Sequence, residues 1–278
     1  MGAAAARNLG FSLSRGDYIQ WLDADDLLAP DKIATQMDNA MAHDATKRML
    51  FSSTWGRFMY RFHRAHFVPT PLWCDLSPLK WLLLKLDQNL FMPTATWLVS
   101  RELTEAAGPW NTQLLGDDDG EYFCRILRAS NGIRFIPTAT VFYRMSGTNS
   151  LSYVGRSHRK MEALFLSMQL HIGYLRSLED SARVRVACVK YLQNQLLAFH
   201  PERPDIVRLA HELAATLGGR LELPRLSWKY AWIQEAFGWP LVKQILLLVP
   251  RSKWCLVRSW DKGLSLVDRK NLVTQCGP

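Results

Sequence analysis

The alternation of apolar and polar residues divides the chain into two parts. Up to about residue 150, short β-prone apolar runs alternate with helical patterns, as they do in α/β proteins. From about residue 156 onward, apolar residues recur only at helical spacing. We therefore predict an α/β domain over residues 1–150, with a mixed sheet flanked by helices, followed by an all-helical region over residues 151–278.

The pattern also predicts individual elements. A helix is expected over residues 31–43, with Ile33, Met37 and Met41 forming its apolar stripe at a spacing of four. Farther along, the helical region should contain two helices whose apolar stripes face a core. The predicted stripes consist of Met161, Leu164, Phe165, Met168, Ile172 and Leu175 in one helix, and of Val184, Ala187, Cys188, Tyr191, Leu192, Leu196 and Phe199 in the other.

Two β-prone runs follow the helix predicted over residues 31–43. Met49–Ser53 and Phe58–Phe62 are each expected to form a strand, and Gly56 is expected to lie in the turn between them. Near the C-terminus, residues 228–239 and 241–249 are predicted to form two short helices rich in aromatic residues.

The first candidate site lies where a strand meets three carboxylates. Tyr18–Leu22 is a β-prone run, and Asp23, Asp25 and Asp26 follow it directly. Ligands of open α/β sheets bind at the carboxyl ends of the strands. A continued strand would place Asp23 and Asp25 on the same side, where two oxygen ligands suit Mg²⁺ or Mn²⁺. The spacing equally permits an acidic surface turn before a helix, with Asp26 or Asp31 as the N-cap.

The second candidate site is the acidic run Asp117–Asp119, which precedes a helical pattern ending near Ser130. Carboxylates at a helix N-terminus are favoured by capping and by the helix dipole, which is one explanation of the run. A crowded set of carboxylates is also expected to raise the pKa of one of its members.

Charge is distributed unevenly over these two parts. Residues 1–150 contain 15 basic and 15 acidic residues, whereas residues 151–278 contain 19 basic and 10 acidic residues, so the net charge of +9 lies entirely in the helical part. Such an uneven charge indicates an anionic partner, either a membrane surface or a nucleic acid, and the aromatic residues beside the basic ones suit a helix that lies in a bilayer interface. A solvated basic surface, or a packed helical core, explains the same residues. We find no nucleic-acid motif and expect no specific nucleic-acid partner.

The remaining composition favours a cytoplasmic protein. No apolar stretch is long enough to predict a transmembrane helix, and the N-terminus does not have the pattern of a signal peptide. The five cysteines are scattered and odd in number, which is typical of reduced thiols rather than of a disulfide framework. We expect the protein to be cytoplasmic and a candidate for peripheral attachment to the inner face of the membrane.

The acidic strand end and its flanks resemble the middle of the family 2 glycosyltransferases. The resemblance covers roughly residues 3–145 and is carried by a string of motifs with its spacing: Ala6-Arg7-Asn8-Leu9-Gly10, Arg15-Gly16-Asp17-Tyr18, Leu22-Asp23-Ala24-Asp25-Asp26 and Pro30-Asp31-Lys32. It implies a GT-A fold, here a partial one. Members of the family carry further residues before this point, so we expect the N-terminal part of the domain, which grips the nucleotide, to be missing from this chain.

The resemblance implies roles for the acidic residues. Asp25, in the DXD motif, would bind the divalent metal that bridges the donor diphosphate, and Asp23 would share the metal or lie near the ribose. In the second cluster, Asp119 would be the catalytic base and Asp118 its acidic neighbour, because Asp119 and Arg125 have the spacing of the family's acidic residue and arginine. The run of three aspartates leaves this register uncertain by one residue.

The resemblance also implies donor-binding residues and a reaction. Arg7, Asn8 and Arg144 would support the donor site. The implied reaction is an inverting, Mn²⁺- or Mg²⁺-dependent transfer of a sugar from a nucleotide-sugar, most simply a UDP-sugar. Its acceptor would be a hydroxyl of a surface glycan or lipid-linked carrier. The alternatives are a non-catalytic glycosyltransferase remnant and a basic helical protein that binds membranes or nucleic acid.

Overall fold

The computed structural model describes residues 2–42, 47–146, 157–223 and 228–275. Six strands form its sheet: β1 Tyr18–Gln20, β2 Leu27–Leu28, β3 Met49–Phe58, β4 His66–Phe67, β5 Leu98–Ser100 and β6 Gly132–Arg144. The helices are α1 Ala3–Leu13, α2 Lys32–Ala42, α3 Pro78–Gln88, α4 Arg101–Ala107, α5 Asp118–Ala129, α6 His158–Leu178, α7 Ala182–Phe199, α8 Pro204–Thr216 and α9 Trp228–Gln275.

The sheet is mixed, as predicted. Its strand order is β1-β5-β3-β6-β2, and β4 pairs with β3 outside this path. The two longest strands, β3 and β6, run parallel, while all other pairs are antiparallel. Helices flank this sheet, and α6 to α9 form the C-terminal helical region. The predicted fold class is therefore confirmed.

The prediction of two strands separated by a turn at Gly56 is wrong. β3 runs without interruption from Met49 to Phe58, because β6 lies alongside its whole length. Gly56 instead faces the ring of Phe67 on β4, which would lie only 2.8 Å from an added Cβ atom. The glycine thus permits a close approach between β3 and β4. In the sequence alone, a glycine between two β-prone runs also suggests a turn.

The prediction of which face of α2 is buried is also wrong. Lys32, Gln36 and Ala40 are buried, whereas Ile33 and Met41 are 43% and 73% exposed. Gln36 donates from Nε2 to the carbonyl oxygen of residue 96 at 3.2 Å, and the Lys32 ammonium donates to a glutamine of β1. Polar side chains face inward here because a side-chain oxygen of β1 and a backbone oxygen just before β5 offer them hydrogen-bond partners.

The helical region and the sheet share a core. Nearly all residues of the two predicted stripes are buried, and α6 and α7 pack against α5 and α3. One hydrophobic cluster extends from Ile19 of β1 through Leu82 of α3 to Leu192 of α7. The predicted domain boundary at residue 150 lies outside the described residues, and the core is continuous on either side of it.

The two short helices predicted near the C-terminus form parts of the longer element α9. It is kinked at Gly238, whose φ of 75° is not helical and which lies two residues before Pro240. Its second half is attached to the α/β part, because Asp261 accepts hydrogen bonds from the backbone of Tyr60 at 2.9 Å and from Arg61 at 2.8 Å. Among the described residues, no helix combines the length and the apolar character that crossing a bilayer requires.

The shared core predicts a single unfolding transition. Replacing the fully buried Met168 of α6 by alanine should lower the free energy of unfolding by about 2–5 kcal/mol, because it removes apolar contacts and leaves a cavity. The change should be equal in urea titrations followed by tryptophan fluorescence and by circular dichroism. Gln169→Ala, at the exposed neighbouring position, is the control. Two separate transitions, of which only one shifts, would contradict a shared core.

Candidate active site

The first acidic cluster lies in a turn and not on a strand. β1 ends at Gln20, and the backbone N–H of Asp26 donates to the carbonyl oxygen of Asp23 at 3.1 Å. The expectation that a continuing strand directs Asp23 and Asp25 to the same side is therefore wrong. Their carboxylates have different partners, since Asp23 pairs with Arg7 and Asp25 accepts a hydrogen bond from Ser146.

Arg7 brings the two acidic clusters together. Its guanidinium donates to Asp23 at 2.6 Å and to Asp118 at 2.8 Å, although these residues are separated by 95 positions in the chain. The guanidinium also lies over the ring of Trp110, 4.3 Å from its centroid. A planar, permanently charged group with several donors suits such a bridge better than an ammonium would. Arg7 is thus a central residue of the site, where it contacts carboxylates.

Asn8 supports the site through the backbone. Its side-chain amide donates to the carbonyl oxygen of Trp110 at 3.0 Å, and its amide oxygen accepts from the N–H of Trp110 at 2.8 Å. Trp110 in turn stacks on Tyr122 of α5, with ring centroids 4.0 Å apart. Asn8 therefore fixes the loop that carries the ring beneath Arg7.

Arg144 and Asp26 hold the acidic turn from the other side. The Arg144 guanidinium donates to the carbonyl oxygens of Asp25 at 2.7 Å and of Met59 at 2.8 Å, and its backbone N–H donates to Asp26 at 2.8 Å. Burial raises the pKa of Asp26 to about 7, a shift that the hydrogen bond from Arg144 opposes. Arg144 is therefore bound to the backbone of the turn and has no direct contact with the Asp25 carboxylate.

The second cluster begins helix α5. Asp117 is its N-cap residue, and Asp118 and Asp119 lie in its first turn. Burial raises the pKa of Asp118 to about 6, the neighbouring Asp119 raises it as well, and Arg7 opposes the shift. Burial and the Asp117 carboxylate also raise the pKa of Asp119, whose side chain accepts a hydrogen bond from Thr94 at 3.5 Å. Asp117 occupies the N-cap position, but its side chain makes no capping hydrogen bond. The described structure therefore shows a perturbed carboxylate pair in this turn without side-chain capping.

Lys85 of α3 was not identified from the sequence. It is only 9% exposed and lines a cavity of about 40 Å³ together with Asp117 and Asp119. Its positive charge opposes the pKa increase of both carboxylates. The signal available in the sequence was a lysine within an otherwise apolar helical stripe between Trp81 and Leu86, a position where burial is costly without nearby opposite charge.

Arg125 has a structural role at the far side of α5. It donates to Glu121 at 2.8 Å and to the carbonyl oxygens of Ala107 and Pro109. Tyr174 of α6 also donates to Glu121, at 2.7 Å. Arg125 therefore attaches α5 to the end of α4 and the loop that follows it.

The first cluster offers two of the oxygen donors that a divalent metal would need. Asp23 and Asp25 each retain one carboxylate oxygen that makes no hydrogen bond to a described residue, and hard oxygen donors suit Mg²⁺ and Mn²⁺. Within the described ranges, no group of three or more His, Cys, Asp or Glu side chains is arranged to hold a metal by itself. Oxygens of a bound diphosphate would be needed to complete the coordination shell.

The N-terminal part of the chain is similar in sequence to known glycosyltransferases. Residues 1–105 match the model of glycosyl transferase family 2. A relative in Haemophilus influenzae, described as an uncharacterized glycosyltransferase, is 51% identical over 37 residues, which span 13% of this chain and 15% of that protein. The resemblance to family 2 glycosyltransferases is thereby confirmed for the part that contains Arg7, Asp23 and Asp25. The second cluster lies beyond the matched residues.

Two solved structures of Staphylococcus aureus TarS, residues 1–349, are similar to this chain. The complex with UDP is 13% identical, with 89% of this chain and 71% of that chain covered and a TM-score of 0.49. The complex with UDP-GlcNAc is 14% identical, with 89% and 72% covered and a TM-score of 0.46.

Removing the guanidinium between the clusters should change the protonation of Asp118. In Arg7→Met, the pKa of Asp118 should rise above about 6, because a positive charge that stabilises its carboxylate is lost. The Cγ resonance of Asp118, followed by ¹³C NMR during a pH titration, measures this shift. Arg15→Met, at an exposed position, should leave the titration unchanged. An unchanged titration in Arg7→Met would show that the ion pair does not exist in solution.

Proposed function

We propose that this chain, whose first 105 residues match glycosyl transferase family 2, is an inverting, metal-dependent glycosyltransferase. The observation that carries the proposal is the bridge formed by Arg7. It joins a carboxylate turn suited to a metal and a diphosphate with a second carboxylate pair suited to proton transfer. The two functions that sugar transfer requires thus lie on either side of one guanidinium.

The first cluster would hold the donor. Asp25 and Asp23 would be the protein ligands of Mn²⁺ or Mg²⁺, and a bound metal would stabilise the negative charge of the departing diphosphate. Arg7 and Arg144 supply positive charge and fix the turn, while Asn8 fixes the loop under Arg7. We propose a UDP-sugar as the donor, in keeping with the family resemblance.

The second cluster would act on the acceptor. Asp118 is paired with Arg7, whereas the only side-chain hydrogen bond of Asp119 among the described residues comes from Thr94, at 3.5 Å. Asp119 is therefore the better candidate for the base. Its carboxylate would take the proton of an acceptor hydroxyl while that oxygen bonds to the anomeric carbon and the bond to the diphosphate breaks. Attack from the face opposite the leaving group inverts the configuration.

The acceptor we propose is a surface glycan under synthesis or its lipid carrier, reached from the cytoplasmic face of the membrane. Helix α9 supports this location. In its second half, Leu256 and Trp260 are 73% and 72% exposed, while Arg258 and Asp261 attach the helix to the rest of the protein. Residues 228–275 contain eight basic and three acidic residues, which favours contact with anionic lipids.

Two substitutions separate donor binding from transfer. Asp25→Ala should abolish the Mn²⁺-dependent part of UDP binding, because it removes a metal ligand. Asp119→Asn should preserve that binding and lower kcat by on the order of 10²- to 10⁴-fold, because the base is lost. Binding is measured by calorimetric titration of UDP with Mn²⁺ and with EDTA, and transfer is measured with a panel of UDP-sugars.

Asp38→Asn, on the exposed face of α2, is the matched control and should change neither quantity. Normal turnover by Asp119→Asn would exclude Asp119 as the base. Absence of metal-dependent UDP binding by the folded wild-type chain would contradict a donor site on this chain and would favour the interpretation as a non-catalytic remnant.

The exposed face of α9 should bind anionic vesicles. The wild-type chain should cosediment with vesicles of phosphatidylglycerol but not with those of phosphatidylcholine, and added salt should weaken the binding. Serine at both Leu256 and Trp260 should reduce binding by on the order of tenfold or more, because two apolar side chains would no longer enter the interface. Serine at Val186, an equally exposed apolar position on α7, is the control. Equal binding by both variants would contradict membrane contact through this face.

A further inference from the structure

Buried polar side chains connect the helical region to the second acidic cluster. The hydroxyl of Tyr191 on α7 lies 3.0 Å from Nδ1 of His171 on α6. The other ring nitrogen of His171, Nε2, lies 3.8 Å from Oδ2 of Asp117. Ser167, one turn earlier on α6, donates to the same carboxylate oxygen at 2.7 Å. Two residues of α6 thus converge on one oxygen of the N-cap residue of α5.

These polar groups lie in an apolar environment. Ser167 and His171 are both fully buried, and each is followed on α6 by a buried apolar residue, Met168 and Ile172 respectively. A hydroxyl and an imidazole cost free energy at such positions unless they have polar partners. Burial lowers the pKa of His171 to about 3, so the ring is neutral at physiological pH. Its Nδ1 is within hydrogen-bond distance of Tyr191, whereas its Nε2 contacts Asp117 without a hydrogen bond. Hydrophobic packing of α6 does not require either side chain.

Asp117 also contacts the residues that follow it in the first turn of α5. Asp117 has a left-handed backbone conformation, with a φ of 57°, and its carbonyl oxygen accepts the N–H of Glu121 at 3.1 Å. Its carboxylate lies so close to Gly120 that an added Cβ atom there would be 2.1 Å from Oδ1. The carboxylate therefore packs on the first helical turn, the same turn that carries Asp118 and Asp119.

We propose that Ser167 and His171 are positioning residues for the second acidic cluster. Ser167 holds the Asp117 carboxylate by a hydrogen bond, and the His171 ring packs beside it. Together they fix the first turn of α5 and with it the directions of the Asp118 and Asp119 side chains. Helix α6 of the helical region then supports the candidate active site through its contacts with the start of α5. The effect on turnover rests on the proposed function, whereas the effect on the helix turn does not.

The first test uses the 278-residue chain with substitutions that remove the polar atoms and keep a small or planar side chain. Ser167→Ala and His171→Phe should each lower kcat by on the order of tenfold and leave the KM for the donor nearly unchanged, because the base is misdirected while the donor turn is untouched. Ser177→Ala on the exposed face of α6 and His211→Phe on the exposed face of α8 are matched controls that should keep wild-type turnover. Unchanged turnover in both test variants would overturn the proposal.

A double-mutant cycle tests whether Ser167 acts through Asp117. If it does, the combination of Ser167→Ala with Asp117→Asn should be no slower than Asp117→Asn alone, because the second change has nothing left to disturb. Losses that multiply independently would show that Ser167 acts by another route and would overturn this part of the proposal.

Amide hydrogen exchange provides a readout that does not need activity. The Glu121 amide, which closes the first turn on Asp117, should exchange on the order of tenfold faster in Ser167→Ala and His171→Phe. The Ile126 amide, in the middle of α5, should be unaffected and serves as the internal control. Faster exchange in a chain without transferase activity would support the positioning role and reject the proposed function. Unchanged exchange at Glu121 would overturn the positioning role, whatever the activity.

Discussion

The ion pairs of Arg7 are the constraint on which the candidate site depends. The two acidic clusters come from distant parts of the chain, and like charges this close would repel each other without a cation between them. One guanidinium binds Asp23 on one side and Asp118 on the other. Its position is set in turn by Trp110, which Asn8 holds through two backbone hydrogen bonds. Two adjacent residues in the middle of α1 thereby connect the two acidic clusters.

Buried charge and polarity recur throughout the region around this site. Lys32 is fully buried in α2, Lys85 lies beside Asp117 and Asp119, and His171 lies behind α5. Each of these groups has a polar or oppositely charged neighbour, which offsets part of the cost of its burial. The site is consequently held by directional contacts as well as by apolar packing, and those contacts restrict how the carboxylates can point.

The helical region is joined to the rest of the chain in three ways. Its apolar stripes complete a core that begins in the sheet, and two of its polar residues reach the N-cap of α5. Helix α9 adds a third attachment through Asp261. A composition change near residue 150 therefore marks a change in secondary structure, while the packing joins the segments on either side of it.

Local pattern alone determined the fold class, most helix positions and the two acidic clusters. Helical periodicity found the buried stripes of α6 and α7, because those helices pack against apolar neighbours. The same reasoning failed for α2, where Lys32 and Gln36 face polar groups of β1 and of the segment before β5. It also failed for Gly56, which accommodates the ring of Phe67. Only the tertiary structure showed that Arg7 joins the clusters and that Lys85, Ser167 and His171 surround the second one. These contacts link residues far apart in the chain, and spacing along a sequence carries no information about such distances.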